Sequence, residues 1–171
     1  MKLHPDVEKA INEQINLEFL SAYAYLAMAA WFEHKSLAGF ASWMTLQGQE
    51  ELGHGMKFFR YLNDRGGRVL LEAVPKAKTD FTSPLEAFET SLQHEQSVST
   101  CINRIYELAN QHKDYPTMSF LRWFLDEQVE EEKTVRDAIA KLKLVGESET
   151  GLFHLDNQLG ERAKTSPAAK T

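Results

Sequence analysis

The chain has a single cysteine, Cys101, among its 171 residues, so no disulfide can form within it. A lone thiol suits a reducing compartment, and the expected location is cytoplasmic. No run of eighteen apolar residues is present, so no membrane-spanning helix is expected. A signal-peptide pattern is missing as well, because the first residues lead straight into a helical pattern. Positive charge is in deficit: 25 acidic side chains face 19 Lys and Arg, a net charge of -6. That balance argues against a nucleic-acid backbone or an anionic membrane as partner. Proline and glycine, the usual interrupters, are sparse and unevenly placed. Between Pro5 and Gly39 there is neither, which leaves room for one very long helix.

What fills the uninterrupted stretches is apolar residues at alternating four- and three-residue spacing, the signature of a helical bundle seam. The first helix is expected from Pro5 and Asp6 to about Lys35, with Ile11, Ile15, Glu18, Ala22, Tyr25, Ala29 and Phe32 along its seam. Ser36 is the expected cap of a second helix from Leu37 to about Arg65. Its seam is Leu37, Phe40, Met44, Gln47, Glu51, His54, Phe58 and Tyr61, and Gly66-Gly67 stops it. A connection of 17 residues, Gly66 to Thr82, follows. Extended, it spans roughly 56 Å, enough to run the length of a 30-residue helix, roughly 45 Å.

Ser83-Pro84 opens the third helix, which carries Leu85, Phe88, Leu92, Glu95, Ser99, Ile102 and Tyr106 to about His112. The fourth begins near Pro116-Thr117, presents Leu121, Phe124, Gln128, Glu131, Val135, Ala138 and Leu142, and ends at Gly146. A short fifth helix is expected from Ser148 to Leu159, stopped by Gly160, with Leu152, Leu155 and Leu159 on one side. Residues 161–171 are small and polar, and are expected to be a disordered tail after a single domain, 1–160. The fold class is therefore all-α: a four-helix bundle with one long crossover connection and a short C-terminal helix.

Each seam is broken by a carboxylate at a similar depth. Glu18 lies about 17 residues before the first turn and Glu51 about 15 after it; Glu95 lies about 19 before the second turn and Glu131 about 17 after it. At about 1.5 Å per residue these offsets differ by only a few Å, so the four carboxylates meet near mid-bundle with His54 one turn along. Buried charges without partners cost several kcal/mol each, and no Lys or Arg occupies the central seams. Metal cations supply the missing charge. An oxygen-rich set with one imidazole suits iron or manganese, with zinc as a competitor. Glu51 is the bridging candidate, because its helix also supplies His54.

Glutamates on four helices with Glu-x-x-His resemble the ferritin-like di-iron carboxylate proteins. One position departs from the two-motif pattern of bacterioferritins and rubrerythrins: Thr134 stands where a second His would follow Glu131. A single Glu-x-x-His with a Gln on the fourth helix, here Gln128, is closer to bacterial non-haem ferritin. Leu52 replaces the haem-ligating Met of bacterioferritin, so no haem is expected. The resemblance covers roughly Leu3 to Gly160.

It implies a ferroxidase centre with one iron held by Glu18, Glu51 and His54. The other iron would be held by Glu51, Glu95 and Glu131, with Gln128 nearby. Fe(II) would be oxidised by dioxygen or peroxide and stored as ferric mineral inside a shell of twenty-four copies. The resemblance makes Tyr25 a candidate one-electron donor; the plainer reading is a seam aromatic bonded to a carboxylate such as Glu95. Glu50, Glu127 and Glu130 become a candidate third iron site, against the plainer reading of a solvated acidic face. The fifth helix would lie at four-fold contacts, or equally dock on its own bundle. Trp123 matches a tryptophan near the family's site and is read as packing. His4, His34, His94, His112 and His154 fall outside the seam and read as surface or cap residues. Competing readings are another di-iron enzyme, such as a rubrerythrin-like peroxidase, and a non-catalytic partner-binding bundle. The first lacks a second His motif and a four-cysteine unit; the second requires the seam carboxylates to be exposed.

Overall fold

A computed structural model describes residues 3–165. Its elements are α1 (Pro5–His34), α2 (Ala38–Asp64), α3 (Pro84–Gln111), α4 (Tyr115–Val145) and α5 (Glu149–Thr165). The two hairpins, α1 with α2 and α3 with α4, pack through α1 against α3, and α5 folds back onto α2 and α4. The expected bundle is present, and no helix among the described residues is long and apolar enough to cross a membrane.

The core has two apolar clusters. One, toward the α5 end, is built around Phe32, Phe40, Trp43, Met44 and Phe88, with Leu155 and Leu159 of α5. The other, at the opposite end, gathers Val7, Ile11, Phe58, Leu62, Ile102 and Phe124. Buried polar side chains form the layer between them, and every expected seam carboxylate is in that layer.

The helix ends show where side-chain chemistry differs from expectation. Ser36 does not cap α2. The turn between α1 and α2 puts Ser36 in the left-handed region, at φ 59°, and the cap position falls on Leu37, whose side chain makes no capping bond. A carboxylate from another helix substitutes: Phe40 N–H donates to Asp156 Oδ1 of α5 at 2.9 Å. At the start of α4 the cap is Asp114, two residues before the expected region, accepting from Thr117 N–H and held by Arg65 from the end of α2 at 3.0 Å.

Gly160 does not end α5, which continues to Thr165. Its missing side chain serves close approach instead: a Cβ there would come within 3.1 Å of Gly39 Cα, and one on Gly39 would meet the Asp156 carbonyl oxygen at 1.8 Å. The expected domain limit at Gly160 thus falls inside a helix, and residues 166–171 of the expected tail lie outside the described residues. α5 docks on its own bundle through Leu155 and Leu159, as one of its two readings expects.

The long crossover lies along α1 and is held there by asparagines. Asn12 accepts from Leu70 N–H and donates to Arg68 O, at 2.7 and 3.0 Å. Asn16 repeats the pattern one turn on, accepting from Glu72 N–H and donating to Leu70 O, at 2.8 and 2.9 Å.

Candidate metal centre

Glu18 enters the middle layer from α1, Glu51 and His54 from α2, Glu95 from α3, and Gln128 and Glu131 from α4; all six are buried. The 3.6-residue period that places Ile11 and Ile15 in the core places Glu18 there too. Glu18, Glu51 and His54 present ligand atoms that all lie within 4.8 Å of one another. His54 Nδ1 is 3.9 Å from Glu51 Oε1. Four atoms of this trio have no hydrogen-bond partner: Glu18 Oε2, both carboxylate oxygens of Glu51, and His54 Nδ1. Buried polar atoms are rarely left so, and here they converge.

Glu95 and Glu131 share the layer but are held by neutral donors. Glu95 accepts from the Tyr25 hydroxyl and, at 3.2 Å, from Gln128 Nε2. Glu131 accepts from Gln47 Nε2 at 2.9 Å. The Tyr25 hydroxyl also meets Ser91 Oγ at 2.8 Å. Tyr25 therefore bonds to Glu95, as the plainer of its two readings requires.

Electrostatics make Glu51 the hub. Burial raises its carboxyl well above the ordinary range, and the charges of Glu18, Glu95 and Glu131 raise it further. Burial likewise lifts Glu131 to about 8, helped by Glu95 and Glu50. Glu18 rises to about 7 through burial, partly offset by Glu51 and by the bond that Gln14 Nε2 donates at 2.8 Å. His54 is pushed down to about 4 by burial and then by the Lys57 charge, so its imidazole is neutral and able to act as a ligand at neutral pH. Trp123 lies edge-on to His54, with ring centroids 5.4 Å apart, and the Lys57 ammonium sits over the Trp123 ring. That contact is packing, as expected.

Glu50, Glu127 and Glu130 stand beside the layer and are half-buried to exposed. The charges of Glu50 and Glu127 act on Glu131, and that of Glu130 acts on Glu127. Among the described residues their ligand atoms are not gathered within 4.8 Å as those of Glu18, Glu51 and His54 are.

Two supporting residues, Gln14 and Ser91, escaped the sequence reading, and a third, Gln47, figures in it only as a seam position. Their spacing offers a partial signal. Each lies four residues before a seam glutamate, on the same helical face: Gln14 before Glu18, Gln47 before Glu51 and Ser91 before Glu95. As a signal the spacing serves Gln14 alone, which bonds to Glu18; Gln47 reaches Glu131 across the bundle and Ser91 meets the Tyr25 hydroxyl.

A bundle with one long crossover, four carboxylates and one imidazole at its middle defines the ferritin-like class of helical proteins. The family model described as Ferritin-like domain matches residues 8–145. Over 94% of its length the chain is 44% identical to bacterial non-heme ferritin of Staphylococcus saprophyticus, covering 96% of that protein. Over the same share it is 43% identical to bacterial non-heme ferritin of Staphylococcus aureus, again covering 96% of it. Among solved structures it is similar to an open pore ferritin from Archaeoglobus fulgidus, with a TM-score of 0.92 and 44% identity over 94% of this chain and 98% of that one. The chain belongs to the ferritin family, and its likeness to the bacterial non-heme members extends over nearly its whole length.

Proposed function

We propose that this ferritin is a ferroxidase that takes up Fe(II), oxidises it at the mid-bundle centre and stores the ferric product in a shell of its own copies. The observation that carries the reading is Glu51: a fully buried carboxylate with two unpartnered oxygens, facing an unpartnered His54 nitrogen and coupled to three other buried carboxylates. Iron is the substrate. One Fe(II) is held by Glu18, Glu51 and His54, the other by Glu51, Glu95 and Glu131 with Gln128 beside it. Four ionised glutamates carry four negative charges, which two Fe(II) ions balance.

Iron binding displaces the protons that the raised carboxyls hold in its absence. The pair then gives up one electron per iron. Dioxygen accepts the two electrons with two protons and leaves as hydrogen peroxide, or hydrogen peroxide accepts them and leaves as water. Tyr25, bonded to Glu95, is placed to supply a further electron. Glu50, Glu127 and Glu130, beside the layer, offer a third iron position. Support for self-assembly comes from Tyr23, Leu26 and Leu52, large apolar side chains about half exposed on α1 and α2. The protein acts in the cytoplasm, where Fe(II) is available.

Glu51→Ala removes the bridge between both positions and should abolish the fast phase of Fe(II) oxidation in stopped-flow absorbance. An undiminished fast phase would overturn the bridging role. Light scattering on the purified protein tests the shell separately: a particle of a few chains only would count against storage.

A further inference from the structure

At the end of the bundle remote from α5, two histidines far apart in sequence come together. His4 is the N-cap of α1 and His112 the C-cap of α3. Their rings stack with centroids 3.4 Å apart and planes 14° from parallel. Both present a nitrogen to one oxygen of Asp6. Oδ2 of that residue lies 3.5 Å from His4 Nδ1 and 3.6 Å from His112 Nε2. These three form the second group, among the described residues, whose ligand atoms lie within 4.8 Å of one another. The cluster shares no residue with the mid-bundle centre.

We propose that His4, Asp6 and His112 form a second metal site that takes a zinc-class dication. The distances carry the assignment. With bonds of about 2.0–2.1 Å, two ligands of a tetrahedral zinc stand about 3.3 Å apart. The Asp6 oxygen already stands within a few tenths of an Å of that separation from each nitrogen. Both separations are too long for good hydrogen bonds, so neither imidazole satisfies the Asp6 carboxylate; His4 Nδ1 accepts only the 3.3 Å cap bond from Asp6 N–H, which a bound ion would replace. Because an imidazole lone pair lies in its ring plane, binding requires the two rings to turn out of their parallel stack and His4 Nδ1 to exchange its cap bond for the ion. Two imidazoles and one carboxylate are a borderline donor set that favours zinc over magnesium or calcium. Three protein ligands leave the fourth position to water, which the half-exposed setting supplies.

The backbone positions are fixed independently of any ion. Leu3 and Val7 anchor the start of α1 in the core, and the N–H of His112 closes α3 onto Leu108 O at 3.1 Å. A bound ion ties the first residue before α1 to the last turn of α3. It thereby clips together two helices that belong to different hairpins.

The test is zinc binding to the assembled full-length protein, by calorimetric titration and by metal analysis after dialysis. Zinc also suits the mid-bundle centre, so the informative quantity is the difference between proteins. His112→Ala and Asp6→Asn should each bind one zinc per chain fewer than the native protein while keeping its particle size and its fast Fe(II) oxidation. An unchanged zinc count in His112→Ala overturns the proposal. Co(II) gives a second readout: the native protein should show the visible absorption of a four-coordinate ion, lost in His112→Ala. Retention of that band in the variant also overturns the site.

Discussion

At the scale of single residues, the middle layer works because each acid has a neutral escort or none. Glu95 and Glu131 have theirs in Tyr25, Gln128 and Gln47; Glu51 has none. Removing an escort should therefore do something different from removing Glu51. Tyr25→Phe deletes the hydroxyl that bonds to Glu95 and Ser91 but leaves the ring in its packing against Trp43. Iron should still bind and the first oxidation should still occur. The later electron steps should change, visible as an altered ratio of Fe(II) oxidised to dioxygen consumed and loss of any radical signal in electron paramagnetic resonance. Unchanged stoichiometry with no radical in either protein would restrict Tyr25 to holding Glu95 in place. The acids were legible in the sequence because a charge inside a seven-residue apolar repeat contradicts its surroundings. Of their escorts, Tyr25 was read as a seam aromatic bonded to a carboxylate such as Glu95, and Gln128 was named through the family resemblance. The bond from Gln47 to Glu131 was not foreseen, since a Gln on a helix is unremarkable until its partner on another helix is known.

At the scale of elements, periodicity located four helices and the start of the fifth to within a residue or two, while α5 ran six residues past its expected end; the way the ends are finished depended on distant contacts. Nothing near Leu37 in the sequence supplies a cap for α2; the carboxylate comes from Asp156, more than a hundred residues later. Asp156→Ala should cost about 1 kcal/mol, the usual worth of an N-cap. It should speed amide exchange in the first turn of α2, measured by hydrogen exchange of Phe40; unchanged protection there would remove the cap. The crossover shows the same limit. Its length announced that it could span the bundle, but not that Asn12 and Asn16 would receive it. Asn12→Ala leaves Leu70 N–H and Arg68 O without their partner and should destabilise the segment by about 2 kcal/mol, with exchange at Leu70 accelerated. Gly160 was read as a helix stop because glycine often is one; its neighbour Gly39 makes it a contact point between α2 and α5 instead.

At the scale of the whole molecule, the polar layer sets how stability depends on pH when no metal is bound. Folding raises Glu131 to about 8 and Glu18 to about 7 from an ordinary 4.5, and Glu51 and Glu95 shift the same way. The folded chain therefore binds more protons than the unfolded chain between those values, and unfolding becomes easier as pH rises through them. The contribution of these groups is whole below 4.5 and lost once pH passes their folded values. His54 acts with the opposite sign: lowered from 6.5 to about 4, it contributes fully above 6.5 and loses that contribution as pH falls toward 4. The two effects oppose one another between 4.5 and 6.5. Above 6.5 only the carboxyls still titrate, so the metal-free protein should unfold at a lower temperature at pH 8 than at pH 6.5. A divalent ion in the centre replaces the protons as countercharge, stabilises the folded state by mass action and should flatten or reverse that decline. Differential scanning calorimetry of metal-free and metal-loaded protein at the two pH values measures both. A metal-free midpoint that rises between them would mean that water reaches these carboxylates and that the layer is not the buried, metal-requiring site inferred from Glu51 and His54.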